Sequence, residues 1–252
     1  MYKRLNSFVL IQFFLLLNGC AQATDRTLSP PSNSDWVNIE IKNPSSYTKP
    51  FPLEVLYVST TCKRELMSMR DGQHYEKVGL NPIKIPLQEK NSSGVWIAKI
   101  AKDGGGKCNW QLSEFNLGIE YIDATHLGKG LVPGTAVGAT IAFDDNATKN
   151  GLFKTVHGDI NLSPVYYPYI RERKLNSTET SLSLLGEKNF ISLKADGTNK
   201  VSFIPGLDES KVTRYIGVAK KVPGSYAKII YPDGSVAPEG TIIPDFNKIN
   251  AK

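Results

Sequence analysis

Apolar residues in this 252-residue chain recur at every second position, and no long stretch repeats them every 3.6. That period is the strongest constraint on the fold. Side chains alternate between the two faces of a strand, whereas they cycle every 3.6 residues around a helix. Val37, Ile39 and Ile41 alternate with Asn38, Glu40 and Lys42, the pattern of a half-buried strand. Leu53–Cys62 is rich in β-branched and aromatic residues and is expected to be another. Ile83, Ile85 and Leu87 alternate after the Asn81-Pro82 turn signal.

Val95–Ile100 and Cys108–Leu112 read as two arms of a hairpin. Asp103-Gly104-Gly105-Gly106 lies between them and tolerates positive φ. Cys108, Trp110 and Leu112 then share one face. Further strands are expected over 117–122, 136–143, 189–193, 201–204, 212–218 and 226–231. Gly138 marks either a bulge or a close backbone approach. Glu65–Met69 and Leu182–Leu185 fit a strand or a short helix equally. The expected class is all-β, an antiparallel β-sandwich or partly closed barrel, in one or two domains. A polar, turn-rich run at 144–151 offers a boundary between a region at 36–148 and a second β region or domain at 149–252.

The N-terminus follows a different rule. Lys3 and Arg4 precede an apolar run from Phe8 to Leu17, which is the layout of a signal peptide. The run is short for a membrane-spanning helix, which needs about 20 apolar residues. Leu17-Asn18-Gly19-Cys20 resembles a bacterial lipobox. That resemblance implies a signal peptide over 1–19 and a lipid on Cys20. Ala21, rather than Asp, follows the cysteine, which implies the periplasmic face of the outer membrane. The competing reading is a plain secretory signal cut near Ala21 or Ala23. Residues 20–35 are polar, contain Pro30-Pro31 and are expected to form a flexible tether.

Three cysteines exclude a four-cysteine zinc site and a disulfide-dense scaffold. With Cys20 lipidated, Cys62 and Cys108 remain, and an oxidising compartment favours a bridge between them. Two buried free thiols, or a reactive thiol, are the alternatives.

The formal charge is +6. Residues 149–252 hold 15 basic against 10 acidic residues, so the excess of the mature chain lies there. In a secreted chain this points to an acidic protein surface or anionic lipid rather than nucleic acid, unless it serves only solubility.

Catalytic patterns are sparse. No G-x-S-x-G elbow occurs, and Ser46-Tyr47-Thr48-Lys49 lacks the partner motifs of the penicillin-recognising enzymes. His126 follows Asp123, and His157 precedes Asp159, at spacings common by chance. No zinc motif is present, and Asp144-Asp145-Asn146 lacks calcium-loop spacing. No catalytic residue, metal or cofactor is therefore expected. A hydrolase assembled from distant residues through His126 or His157 is the enzyme alternative. For binding, Tyr166, Tyr167, Tyr169, Arg171 and Arg173 combine residue types enriched at interface hot spots. Pro168 among them favours an edge strand or loop. The competing reading places the tyrosines in the core.

Two body segments carry a family resemblance. Tyr57-Val58-Ser59-Thr60-Thr61-Cys62-Lys63-Arg64 is one, and Gly104–Leu117 is the other. Together with the lipobox they resemble the immunity lipoproteins made beside type VI secretion phospholipase effectors. The resemblance implies a non-catalytic, lipid-anchored periplasmic protein that binds a toxic lipase and occludes its active site. A structural or assembly lipoprotein of the envelope is the alternative.

Overall fold

The computed structural model describes residues 24–148, 151–175 and 179–250. Cys20 and the expected signal peptide lie outside them. Nineteen strands form, in chain order β1 (Trp36–Lys42), β2 (Thr48–Pro50), β3 (Leu53–Met67), β4 (His74–Ile85), β5 (Gln88–Glu89), β6 (Val95–Ala101) and β7 (Asp103–Gly105). They continue with β8 (Trp110–Tyr121), β9 (Val132–Pro133), β10 (Val137–Ala142), β11 (Lys154–His157), β12 (Ile160–Leu162) and β13 (Val165–Glu172). The last are β14 (Thr180–Leu185), β15 (Phe190–Asp196), β16 (Lys200–Phe203), β17 (Gly206–Leu207), β18 (Thr213–Ile216) and β19 (Lys228–Ile230). One short helix, α1 (Phe246–Asn250), follows. No helix among the described residues is long and apolar enough to cross a membrane.

The all-β expectation holds, and the described residues form three sheets, none closed into a barrel. The first sheet runs β12-β16-β1-β6-β5. The second runs β11-β15-β10-β8-β3-β4, with β2 and β7 also on β8. The third runs β19-β18-β13-β14-β9, with β17 on β13. The first two share one core. Val37, Ile39, Ile41, Ile100 and Phe203 from one sheet join Val55, Tyr57, Phe115, Leu117 and Ile119 from the other. The third sheet joins this core through Tyr166, Ile170, Leu182 and Leu184 and adds a smaller cluster on Tyr167, Ile229, Tyr231 and Ile249.

Three expectations are corrected. The sheets are mixed rather than antiparallel, since β16 joins β1, and β15 joins β10, in parallel. Alternation specifies which face is buried but not which way a neighbour runs. The 36–148 and 149–252 regions do not separate, because both of those parallel pairs cross the boundary. Finally, β6 does not pair with β8. It pairs with β1 and β5, and the chain changes sheets at Lys102, so the hairpin is only the short β7–β8 ladder.

Candidate partner-binding surfaces

Cys62 and Cys108 form the expected disulfide. It joins the two segments that carried the family resemblance, at the point where β3 leaves the second sheet. Beyond it β3 pairs only with β4. Their ladder continues through Arg64–Lys77, Glu65–Glu76, Leu66–Tyr75 and Met67–His74. This two-stranded arm extends into solvent on both faces, which is why Glu65–Met69 showed no alternation. Met69 at its tip is 98% exposed, with Met67 and Tyr75 also exposed. Arg64, Lys77, Leu66 and Tyr75 share one face, with the Lys77 ammonium 5.5 Å from the Tyr75 ring centroid. On the other face Glu76 binds Lys63, and Glu65 binds His74, each at 2.7 Å.

The arm root is clamped by residues expected to be tether. Trp110 Nε1 donates to the Asp25 carbonyl at 3.1 Å, and Asn81 Nδ2 donates to the Arg26 carbonyl at 2.9 Å. The Ser29 amide donates to the Gly104 carbonyl at 2.8 Å. Leu28 packs on the core. A Cβ on Gly105 would lie 2.2 Å from the Ser29 oxygen, and one on Gly106 would lie 2.4 Å from the Thr27 oxygen. The glycine run is therefore a seat for this strap as well as a turn. Residues 25–29 are held, so the tether expected over 20–35 does not extend through them.

The predicted binding segment splits in two. Tyr166, Tyr167 and Tyr169 are 0%, 3% and 9% exposed, so they are core rather than contact residues. Tyr166 packs against Phe203, and the Tyr167 hydroxyl donates to Asn250 Oδ1 at 2.7 Å. Burial pushes the Tyr169 phenol up to about 12. The strand is central, which corrects the edge expectation, and Pro168 is accommodated at a gap. Leu184, opposite Pro168, donates its amide to Thr135 on the far side, so no β13–β14 bond is lost there. On the other flank β17 pairs with Val165–Tyr166 and β18 resumes at Tyr169, leaving Pro168 between them. Arg171 is half-buried between the Tyr169 and Tyr215 rings. Arg173 is exposed at the end of the strand.

That end leads to an apolar surface that sequence reasoning missed. Gly217 donates to the Glu172 carbonyl, and the loop that follows carries Lys220, Lys221, Val222 and Tyr226. A Cβ on Gly240 would sit 3.9 Å from the Tyr226 ring, which brings the 238–243 turn beside this loop. Ile242 and Ile243 are 74% and 73% exposed, and Val222 and Tyr226 are exposed with them. Two adjacent exposed isoleucines were the available signal. Residues 217–232 contain three lysines and no acidic side chain. The Tyr121 hydroxyl, at the end of β8 away from Trp110 and the strap, donates to Glu209 at 3.2 Å, and β18 and β19 follow Glu209 in the chain.

The histidines pair differently from their sequence neighbours. His126 Nε2 bonds Glu209 at 2.8 Å, with the Tyr47 ring stacked on the imidazole at 3.7 Å. Burial, reinforced by the Glu209 charge, pushes the Tyr121 phenol upward. His157 Nδ1 bonds Asp196 at 2.7 Å on an exposed edge. Asp123 instead takes the Thr125 amide and hydroxyl, and Asp159 takes the Asn199 and Lys200 amides. Lys49 of the S-x-x-K match lies over the Trp96 ring at 5.0 Å. Asp145 pairs with Lys194. Among the described residues no group of three or more potential metal ligands comes together. No family model, curated protein or solved structure matches this chain.

Proposed function

We propose that this chain is a lipid-anchored periplasmic immunity protein. It captures a toxic type VI secretion lipase and occludes its active site. The observation that carries the reading is the exposure of Val222, Tyr226, Ile242 and Ile243 around the third sheet. An apolar centre with a polar rim, here Lys220, Lys221 and Glu239, is the anatomy of a protein interface. Exposed large apolar side chains grouped in this way mark contact sites. A lipase offers a matching surface, because the mouth of its active site must accept acyl chains. Arg173 is exposed at the end of β13 and is kept in the reading as a contact residue, while the three tyrosines support the strand from within. The Cys62–Cys108 bridge supports an oxidising compartment.

The test uses the mature protein and the lipase encoded beside its gene. Stoichiometric inhibition of phospholipid hydrolysis is expected. Ile242→Asp with Ile243→Asp should weaken binding at least tenfold, about 1.4 kcal/mol. Both side chains are exposed, so the melting temperature should not move. A lipase unaffected at micromolar inhibitor overturns the reading, as does a neighbourhood that encodes no lipase.

A further inference from the structure

We propose that the β3–β4 arm is a membrane contact, inserting its tip into the headgroup region of an anionic bilayer. The proposal rests on the lipid anchor of the reading above but not on its lipase partner, and the unlipidated chain used in the test separates the two.

Three observations converge on it. First, the described chain begins at the arm root. Asp25 is bonded to Trp110, one strand residue from the disulfide region, and Arg26 is bonded to Asn81 of β4. Five residue steps separate Cys20 from Asp25, a span of at most about 18 Å. A lipid on Cys20 would therefore hold the arm root close to the bilayer. From Cys62 to Met69 the arm is about 23 Å long at strand rise, so its tip can cover that distance.

Second, the tip has interfacial chemistry. Met67 and Met69 are exposed on unbranched, adaptable side chains. Tyr75 presents an apolar ring with a polar end, the residue type that settles at headgroup depth. Such side chains have no reason to face water on a two-stranded arm that packs on nothing.

Third, the arm carries a small basic excess. Residues 63–77 hold Lys63, Arg64, Arg70 and Lys77 against Glu65, Asp71 and Glu76, and Arg26 and Lys107 lie near the root. Arg70 stands at the tip beside Asp71, while Arg64 and Lys77 pair nearer the root. Long basic side chains can keep their charge among phosphates while their stems lie along the apolar layer. Glu65 and Glu76 are bonded within the arm, to His74 and Lys63. A protein cleft is the competing occupant, and the shared root of arm and N-terminal strap favours the bilayer.

The experiment takes the chain from residue 20 onward with Cys20→Ser, so that no lipid is attached. It is sedimented with phosphatidylcholine vesicles, with and without phosphatidylglycerol. Binding is expected to the anionic vesicles. It should fall about tenfold for Met67→Asp with Met69→Asp, in line with the loss of buried apolar surface. Arg70→Glu should remove the preference for phosphatidylglycerol. Both tip methionines are exposed, and unchanged circular dichroism would confirm that the variants fold. Vesicle binding that is absent, or equal in wild type and methionine variant, overturns the proposal. So does a methionine variant that keeps its vesicle binding but loses a protein partner.

Discussion

Ser59 sits where the arm leaves the sheet. Its hydroxyl donates to the Cys108 carbonyl at 2.5 Å and accepts from the amides of Thr61 and Cys62. The β3–β4 register slips between Ser59 and Arg64, and this one side chain satisfies the backbone groups that the slip frees. Ser59→Ala should cost about 1–3 kcal/mol, read as a lower denaturant midpoint, because the buried Cys108 carbonyl and the part-buried Thr61 and Cys62 amides lose a partner. Gly138 makes a comparable demand in the sheet centre. A Cβ there would stand 1.9 Å from the Leu117 oxygen, so the glycine marks close backbone approach rather than a bulge. Tyr57 sets a pH limit. Its hydroxyl donates to the Ala101 carbonyl at 2.8 Å, and burial pushes the phenol up to about 12. The folded state therefore favours the protonated form. Its contribution is complete below the unfolded value near 10 and is lost as pH rises through about 12. Urea midpoints should hold to about pH 9 and fall above pH 10. A midpoint unchanged at pH 11 would contradict this. At this scale the sequence was legible for core alternation and the bridging cysteines. Those depend on chemistry carried by the residue itself.

Among elements, the arm depends on its staple. Cys62 and Cys108 are 46 residues apart, and closing such a loop is worth about 4 kcal/mol in the chain-entropy treatment. Reduction should lower stability by about that amount. Hydrogen exchange should rise first in residues 63–77, which pair with no third strand, and a uniform rise would contradict the view that the root is pinned locally. The arm also shows why some elements were not legible. A strand half-buried on one face announces itself, as β1 does through Val37, Ile39 and Ile41. An arm wet on both faces has no face to mark, and a strand buried on both faces reads as an unbroken apolar run. Tyr166-Tyr167-Pro168-Tyr169-Ile170 is such a run, and its proline fits only because β17 ends before β18 begins. The adjacent Ile242 and Ile243 were visible as a pair, but their exposure was not. No local pattern distinguishes an isoleucine in a core from one at a surface.

For the whole molecule, the decisive feature is how the two halves interleave. β1 takes β6 on one side and β16 on the other, while β10 takes β8 and β15. Removing residues 149–252 would expose one edge of both β1 and β10 and strip Phe203, Val201 and Leu193 from the shared core. The first two sheets are therefore one folding unit, although the composition shift near residue 148 suggested a boundary. Parallel partners so distant in sequence could not be inferred from local alternation, and they bring a kinetic cost. Long-range pairing closes large loops before contacts repay them, which slows folding. Residues 24–148 produced alone should consequently fail to give a cooperative melt and should self-associate through the open edges. The chain from residue 20 to 252 should unfold in a transition in which strands of both halves melt together. Fluorescence of Trp36, Trp96 and Trp110 reports only the first half, whereas far-ultraviolet circular dichroism reports all three sheets. Coincident midpoints from the two probes are the expected result. A tryptophan transition well separated from the bulk β signal would show the halves folding apart. The third sheet should follow the same transition, because Tyr166, Ile170, Leu182 and Leu184 are buried in the shared core and only Tyr167, Ile229, Tyr231 and Ile249 form a separate cluster.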